Sequence, residues 1–361
     1  MKTKHLGHLT LMFILLCQMG AFAFDYSVSL KDGTFEGMRY NFTLLKIIDG
    51  RLDKTKPIGN LHSNLSFSDK ETVGNDSLCD QMNIFLNKSK ANFLDTSNRI
   101  IVVLNQLNLR LIEGMGIEGK IQDIEIGVSL DYYKVTGNKC VLIYQQYFKK
   151  KESVKFIAKK SKAINLVFSD AMMFAFVDFK NQLRVYKPVP APELDLATFS
   201  KSFTSRPTQI VTNQNLKEGL YFSIKDIYLN NPGLLTDYNI SDTSKLGIAP
   251  IAIKSKTYIV DRAYAIVSSK RIFIYISDNF YKEADIDGEG KLFFPNVTST
   301  SVSKEARSGS TAVGIARAIL PLGFLGGLAS SSAQSSIKKS GTTTTISDVF
   351  IDYDTGDLTY K

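Results

Sequence analysis

The best candidates for an acid–base site in this sequence are acidic side chains. Glu113, Glu118, Asp123 and Glu125 lie close together, and cleavage of a glycosidic bond needs two carboxyl groups. They lie around the ends of predicted strands. The sequence also lacks a Gly-x-Ser-x-Gly motif and a phosphate-binding glycine loop. The sequence therefore favours a protein that is not an enzyme and uses no cofactor. A secreted hydrolase with paired carboxylates is the alternative.

Histidine and cysteine are too scarce to form a zinc site with several histidines. The chain has 3 of each, and His5 and His8 lie in a segment that we predict is removed. His62 then remains, in a predicted polar loop, and a tetrahedral zinc site needs four ligands. Cys79 and Cys140 could form one disulfide in an exported protein. The favoured alternative is two buried thiols that pack as small apolar side chains.

Alternating acidic residues before a glycine resemble half of a calcium-binding loop. They are Asp285, Asp287 and Glu289. The twelfth position of that loop is Asn296, where a calcium loop has a bidentate glutamate. A hairpin turn is therefore the favoured interpretation, and calcium binding is the weaker one.

The amino terminus has the layout of a secretory signal. A basic start precedes an apolar run over 9–16, which is too short to span a bilayer, and then Ala21-Phe22-Ala23. We predict cleavage before Phe24. Lipidation at Cys17 is disfavoured because a leucine precedes it. The protein is then exported to the periplasm, the outer-membrane periphery or the extracellular space.

Length and charge limit the organisation and the partners. The 361 residues suggest two domains after signal removal. The formal charge of +9 suits an anionic lipid or glycan surface and also aids solubility. Because the chain is exported, we predict no nucleic-acid partner.

The first domain is predicted over 24–186. Its elements are a hairpin over 26–44, a loop over 49–76, a helix over 78–90 and strands over 107–111, 124–132 and 140–148. The alternation of apolar and polar residues in these strands indicates an antiparallel sheet with one solvated face. The apolar stretch 164–179 predicts a helix packed on that sheet, with a buried strand pair as the alternative.

A proline-rich linker over 187–207 separates the predicted domains. The second domain comprises 208–300 plus 346–361, with meander strands over 251–260, 262–268, 271–277 and 291–295. A final strand, turn and strand over 349–360 are predicted to return to this meander. The predicted fold class is α+β, with two domains and antiparallel sheets, the first with packed helices and the second mainly a β-meander.

A low-complexity insert over 301–345 contains an apolar run, Ala318–Ala329. Three interpretations of this insert remain open: a membrane span, an apolar loop that lies on a surface, and a flexible insertion that packs against its own domain. The Ser-rich flanks favour the flexible insertion. The residues that would contact a membrane or another surface are Ile319, Leu320, Leu322, Phe324, Leu325 and Leu328.

A basic cluster follows the last strand of the first domain. Lys151, Lys155 and Lys159 are four residues apart, so on a helix they would share one face. Contact with phosphate-bearing lipid or polysaccharide is one interpretation. A solvated face beside a turn is the favoured one, because charge runs commonly serve solubility.

Residues 219–232, Gly-Leu-Tyr-Phe-Ser-Ile-Lys-Asp-Ile-Tyr-Leu-Asn-Asn-Pro, resemble an opening motif of uncharacterised secreted proteins of Gram-negative envelopes. The resemblance covers about residues 215–361, including the final Asp-x-x-Thr-Gly-x-Leu, and it implies location and architecture without an activity. The chain departs from that pattern in its polar Lys225-Asp226 and its long first domain.

The order of elements in the first domain resembles, in pattern only, auxiliary proteins of envelope transport systems. That resemblance implies binding or scaffolding between membranes. The sequence as a whole predicts an exported, non-catalytic envelope protein that binds or scaffolds a protein or a lipid-bearing surface. The predicted partner is an envelope protein or a membrane surface, and the oligomeric state stays open.

Overall fold

A computed structural model gives the fold of part of the chain. The described residues are 26–27, 40–51, 58–62, 70–74, 78–88, 97–116, 119–154, 160–183, 192–199, 203, 212, 215–233, 238–241, 248–250, 252–255, 263–277, 280–302, 316–318, 342–351 and 358–360. The predicted signal peptide over 1–23, Lys155, Lys159 and residues 319–341 of the insert lie outside them.

Eight strands form the first sheet, and two helices accompany them in sequence. The strands are β1 Tyr26–Ser27, β2 Thr43–Asp49, β3 Gly59–His62, β4 Lys70–Gly74, β5 Arg99–Gly116, β6 Gly119–Thr136, β7 Lys139–Val154 and β8 Glu193–Asp195; the helices are α1 Leu78–Lys88 and α2 Lys160–Gln182. The order is β1-β4-β3-β5-β6-β7-β8, and β2 also pairs with β5. Strands β2 and β3 run parallel to β5, whereas β5 to β8 are antiparallel.

One face of the first sheet packs on α2. Alternate residues of β6 point to that face, and the buried residues of α2 recur at helical spacing, so two apolar surfaces meet. The ring of Phe179 stacks on that of Tyr132 with centroids 4.0 Å apart. Tyr144 donates from Oη to Asp178 Oδ2 at 2.9 Å, which satisfies an acid on the buried side of the helix. The helix predicted over 164–179 is therefore present.

Most strands after residue 208 form the second sheet. The elements of this part are β9 Gly219–Tyr221, α3 Ile224–Tyr228, β10 Tyr238–Ser241, β11 Ile248–Pro250, β12 Ala252–Ser255, β13 Ala265–Ser268, β14 Arg271–Ser277, β15 Phe280–Ile286, β16 Leu292–Val302, β17 Ala316–Ala318, β18 Thr342–Ile351 and β19 Leu358–Tyr360. The order is β19-β18-β16-β15-β14-β13-β9, with β11 on β15 and β17 on β16. Strands β10 and β12 pair separately.

The return of the chain end to this sheet is confirmed. Strand β18 pairs with β16, and β19 pairs with β18. Strand β14 also matches its predicted range of 271–277. Strand β15 was not predicted, although it lies between β14 and β16 in the sheet. Within the strand predicted over 251–260, the described residues 252–255 form β12, which pairs with β10 and lies outside the second sheet.

The predicted α+β fold class, with packed helices in the first domain, is wrong. The described residues form nineteen strands and only three helices, so strands predominate. The reason is that β5, β6 and β7 extend for 18, 18 and 16 residues, well past their predicted limits. Because β1, β2 and β3 have parallel partners, the first sheet is not purely antiparallel either.

Two local predictions in the first sheet are also wrong. The segment 49–76 contains β3 and β4, so it is not a loop, and His62 ends a strand opposite Lys70. The described ends of the hairpin predicted over 26–44 do not pair with each other, because β1 pairs with β4 and β2 pairs with β5; residues 28–39 lie outside the described residues. Both errors arise from strands whose partners are distant in sequence. The division of the chain into domains stays a prediction.

Candidate functional site

Part of the second face of the first sheet is polar, and it is buried. Gln106 and Ser129 are 0% exposed, and Asp131 and Gln145 are almost as well covered. Ile224 of α3 donates its backbone N–H to Gln106 Oε1 at 3.1 Å. The predicted solvated face is therefore wrong, since α3 lies against the polar side chains. We call this contact region between the polar face of β5–β7 and residues 219–233 the junction.

Helix α3 begins with a capping box, which fixes an acidic side chain in the junction. The backbone N–H of Asp226 donates to Ser223 Oγ at 3.1 Å. In return, Asp226 Oδ2 accepts from the backbone N–H of Ser223 at 2.9 Å and from its hydroxyl at 2.8 Å. This reciprocal arrangement satisfies N–H groups that have no partner in the first helical turn. Asp226 is consequently held in one orientation while buried.

Lys225 ties α3 to the first sheet from the other side. Its Nζ donates to the carbonyl oxygen of Gly50 at 2.9 Å and to that of Phe203 at 3.3 Å. It also lies 5.5 Å from the centre of the Phe203 ring. Gly50 follows β2, and the ion pair between Asp49 and Arg51, at 2.6 Å, flanks it. A buried ammonium group therefore connects segments that are far apart in sequence.

Two buried carboxyl groups interact in the junction. Asp131 on β6 accepts from Gln145 Nε2 at 3.0 Å. Burial raises the pKa of Asp131 above its ordinary value, while Gln145, Asn105 and Lys225 act in the opposite direction. Burial, and then repulsion by Asp131, raise the pKa of Asp226 to about 7. A carboxyl group in such surroundings favours its neutral form, because the charged form loses hydration.

A second ionic cluster lies along the same face. Glu125 Oε1 is 3.2 Å from Arg110 Nε and 3.5 Å from Lys149 Nζ. Burial would raise the pKa of Glu125, but Lys149 and Arg110 outweigh it, so the net shift is downward. Burial lowers the pKa of Lys149 to about 8 despite the nearby carboxylate. Lys149 Nζ also donates to the carbonyl oxygen of Ile276 on β14, at 3.1 Å.

Aromatic side chains complete the contact between the two sheets. The ring of Tyr147 on β7 meets that of Tyr264 edge-on, with centroids 5.1 Å apart, and that of Tyr275 at 6.0 Å. Tyr147 belongs to the hydrophobic core of the second sheet. The sheets therefore share apolar contacts as well as buried charges. Chemically, the region holds ionisable groups in pairs away from water.

Gly233 offers a direct test of this contact. A Cβ at Gly233 would lie 2.5 Å from Gln145 Oε1 and 2.6 Å from the ring of Phe222. We therefore expect Gly233→Ala to lower the free energy of unfolding by about 1–3 kcal/mol, measured by urea unfolding. Gly288→Ala is the control, because nothing lies within 4 Å of the Cβ there. Equal effects of the two substitutions would contradict the contact.

The predicted acidic residues are only partly brought together. Asp123 and Glu125 share the polar face of β6 and are 7% and 6% exposed. Lys151 Nζ is 2.5 Å from Asp123 Oδ2, so both acids have basic partners. Glu113 lies on β5 opposite Gln122, and Glu118 lies outside the described residues.

The weak calcium candidates lie in the hairpin turn between β15 and β16. Asp287 Oδ1 accepts from the backbone N–H groups of Glu289 and Lys291 at 2.9 and 2.8 Å. Asp285 Oδ1 accepts from Ile286 N at 2.8 Å. The favoured hairpin turn is thus present. In the described ranges, no group of three or more acidic, histidine or cysteine side chains could hold a metal ion.

The possible disulfide between Cys79 and Cys140 is not formed, in agreement with the favoured interpretation of two separate thiols. Cys79 packs against the core on the α2 side of the first sheet, whereas Cys140 is buried in a different cluster with Phe199 and Phe203. These two phenylalanines, together with β8, come from the segment predicted as a linker.

The basic cluster does not begin on a helix. Lys151 lies on β7, so it cannot share a helical face with Lys155, which lies outside the described residues, as does Lys159. Lys150 Nζ is 3.9 Å from Asp170 Oδ2. Contact of these lysines with an anionic surface therefore stays a prediction. The proposed surface residues Ile319, Leu320, Leu322, Phe324, Leu325 and Leu328 also lie outside the described residues.

Sequence reasoning missed the junction. Its main residues are Gln106, Asp131, Lys225 and Asp226. The usable signal was the polar Lys225-Asp226 pair within an otherwise apolar motif. The chain departs from the usual pattern of the motif in this pair and in its long first domain. These two features contact each other through Lys225 and Gly50.

Comparisons with known proteins leave the chain without a family. It matches no family model, and no curated protein matches it. A crystal structure of a DUF330 protein from Xanthomonas campestris has a TM-score of 0.27 and 9% identity, covering 44% of this chain and 94% of its own. A minor lipoprotein from Acinetobacter baumannii has a TM-score of 0.19 and 11% identity, with the same coverage of 44% and 94%.

Both neighbours come from Gram-negative bacteria, and one is named a lipoprotein. With TM-scores this low, they carry no argument about the fold or the activity of this chain. Within the described helices, none has both the length and the apolar character that crossing a bilayer requires.

Proposed function

We propose that this protein is an exported, non-catalytic envelope protein that binds a lipid-bearing surface through the apolar run Ala318–Ala329. The observation that carries the proposal is the way this run is attached. Ala318 pairs with Thr300 of β16, and Thr342 pairs with Val302 of the same strand. Both ends of the segment 319–341 are therefore fixed at one end of one strand.

The attachment point lies at the far end of a strand ribbon. Strands β16 and β18 pair from Phe293 to Val302, whereas β15 pairs with β16 only at Leu292 and Phe293. The strands shift register between Phe294 and Val297, which is a place where a ribbon can bend away from its sheet. From Val297 to Val302 the ribbon spans about 17 Å, given a rise of about 3.3 Å per residue. It can hold an attached segment away from the rest of the sheet.

The composition of the segment supports lipid as the target. The run Ala-Ile-Leu-Pro-Leu-Gly-Phe-Leu-Gly-Gly-Leu-Ala contains no charged or polar side chain. Burial of each large apolar side chain in a bilayer interface contributes about 1.5–3 kcal/mol. Arg317 next to the run suits an anionic headgroup.

The use of the ionisable groups supports a role without catalysis. Glu125, Asp131, Lys149 and Asp226 serve the contact between the two sheets and are largely withdrawn from solvent. Export is supported by the signal-like amino terminus. Amino-terminal sequencing of the protein from an envelope fraction should begin at Phe24, and intact Met1 on protein from the cell interior would contradict export.

Vesicle sedimentation of the full chain tests the lipid contact. We expect the protein to sediment with vesicles of phosphatidylglycerol and phosphatidylethanolamine. The double variant Leu322→Asp/Phe324→Asp should lose at least about tenfold in partitioning, since it removes two large apolar side chains and adds two charges. Neutral phosphatidylcholine vesicles, tested in parallel, separate apolar insertion from attraction to anionic headgroups.

The control adds the same charge outside the apolar run. Ser332→Asp/Ser335→Asp should sediment almost as the unmodified protein does. If the Leu322/Phe324 variant binds as well as this control, or if the unmodified protein binds neither vesicle, the lipid contact is refuted.

A further inference from the structure

The junction holds two carboxyl groups that repel each other in a buried setting. Asp131 lies on β6, and Asp226 is fixed by the capping box of α3. Both side chains are more than nine-tenths buried. Ionising both carboxyl groups in such a place costs more free energy than ionising one, because like charges repel strongly where water cannot screen them. Retention of one proton by either group relieves this repulsion.

We propose that Asp131 and Asp226, buried in the contact of α3 with the first sheet, together retain one proton, and that the release of this proton weakens the seating of residues 219–233 on that sheet. The junction is thereby a pH-sensitive contact between the two sheets. The proposal is independent of lipid binding, because it concerns residues far in sequence from the apolar run.

The groups around the two carboxyls set the conditions for this behaviour. From β5, Asn105 and Gln106 face the site as neutral amides, and from β7, Gln145 donates to Asp131. Tyr133 on β6 stays neutral, because burial and then the nearby acids raise the pKa of its hydroxyl.

Lys225 on α3 supplies a positive charge that favours ionisation of both acids. Beyond Gly50, which accepts from Lys225, the charges of Asp49 and Arg51 compensate each other. One positive charge faces two carboxyls, so a single retained proton gives a neutral site.

The direction of the pH effect follows from linkage. Seating raises the carboxyl pKa values above the ordinary value of about 3.9, so the seated state binds a proton that the separated state releases. The stabilisation is fully present below about pH 4 and is lost as the pH rises through about 7, the pKa of Asp226. The lowered pKa of Glu125 affects stability only at more acidic pH. The lowered pKa of Lys149 affects it at about pH 8 and above. The interval between about pH 5 and 7.5 therefore isolates the acid pair.

Hydrogen exchange of the full chain tests the proposal at two informative amides. The N–H of Ser223 donates to Asp226, and that of Ile224 donates to Gln106. After correction for intrinsic exchange rates, we expect protection of residues 219–233 to fall at least about tenfold between about pH 5 and 7.5. Asp226→Asn should reduce this change to less than about twofold, since an asparagine side chain keeps an acceptor for Ser223 but does not titrate.

A matched control and a second readout keep the test decisive. Asp170→Asn, on the outer side of α2, should retain the pH dependence of the unmodified protein. Carboxyl carbon NMR of the unmodified protein should show at least one of Asp131 and Asp226 titrating well above the ordinary value, with assignment from Asp131→Asn. Protection that is independent of pH, a pH dependence unchanged in Asp226→Asn, or ordinary titration of both carboxyls would each overturn the proposal.

Discussion

Replacing Phe179 with alanine is expected to lower the free energy of unfolding by about 3–5 kcal/mol. Phe179 is 0% exposed in the core between α2 and the first sheet. Its ring stacks on Tyr132 at 4.0 Å and meets Phe42 edge-on at 5.0 Å. The substitution removes both aromatic contacts and leaves a cavity that the long strands cannot collapse to fill.

The same helix supplies the control. Phe174 is 43% exposed, although its ring lies 5.3 Å from that of Phe148. Phe174→Ala should therefore cost about 1 kcal/mol or less. Urea unfolding followed by far-ultraviolet circular dichroism gives both values. Losses of similar size for the two variants would mean that α2 does not present Phe179 to the sheet.

The sequence was most informative where apolar residues repeat over a long stretch. The helix over 164–179 follows from its apolar composition, and β6 follows from strict alternation at Ile124, Ile126, Val128 and Leu130. Both elements can be recognised from their own sequence, because the residues of the buried face recur at regular spacing within a single segment. The return of β18 and β19 to the second sheet was also predictable, since alternating apolar residues flank a turn at the chain end.

The sequence was least informative where burial depends on a distant partner. Alternation in β5 and β6 shows two distinct faces but does not say whether water or protein covers the polar one. Here α3, more than ninety positions after Ser129, covers it. The short strands β3 and β4 likewise carry polar residues and pair with distant segments or with each other across a long connection. No local pattern reports such pairings.

The polar junction explains why the motif of 219–232 carries Lys225 and Asp226. A neutral, apolar α3 would leave Asp131 and the carbonyl oxygen of Gly50 buried without the charge and the donor that Lys225 supplies. Buried polar groups are costly when unpaired and specific when paired. The polar pair therefore satisfies polar groups that are buried where α3 covers the long strands of the first sheet.

Replacing Lys149 with methionine is expected to lower the free energy of unfolding by about 3 kcal/mol. Methionine keeps much of the stem of the side chain but removes the ammonium group, which pairs with Glu125 and donates to the carbonyl oxygen of Ile276. Arg110 remains beside Glu125 at 3.2 Å, so the carboxylate keeps one partner while Ile276 loses a donor. Urea unfolding near neutral pH measures the loss.

The neighbouring lysine and a double variant show whether this loss comes from the contact between the sheets. Lys150 points to the other face, 28% exposed and 3.9 Å from Asp170, so Lys150→Met should change stability by less than about 1 kcal/mol. The double variant Lys149→Met/Glu125→Gln should lose less stability than the sum of the two single variants, because the ion pair between Glu125 and Lys149 is already lost in each of them. If Lys149→Met and Lys150→Met are equally mild, Lys149 is solvated and the two sheets do not meet at Ile276. If only Lys149→Met is costly and its loss is not additive with that of Glu125→Gln, Lys149 is buried between the sheets and pairs with Glu125.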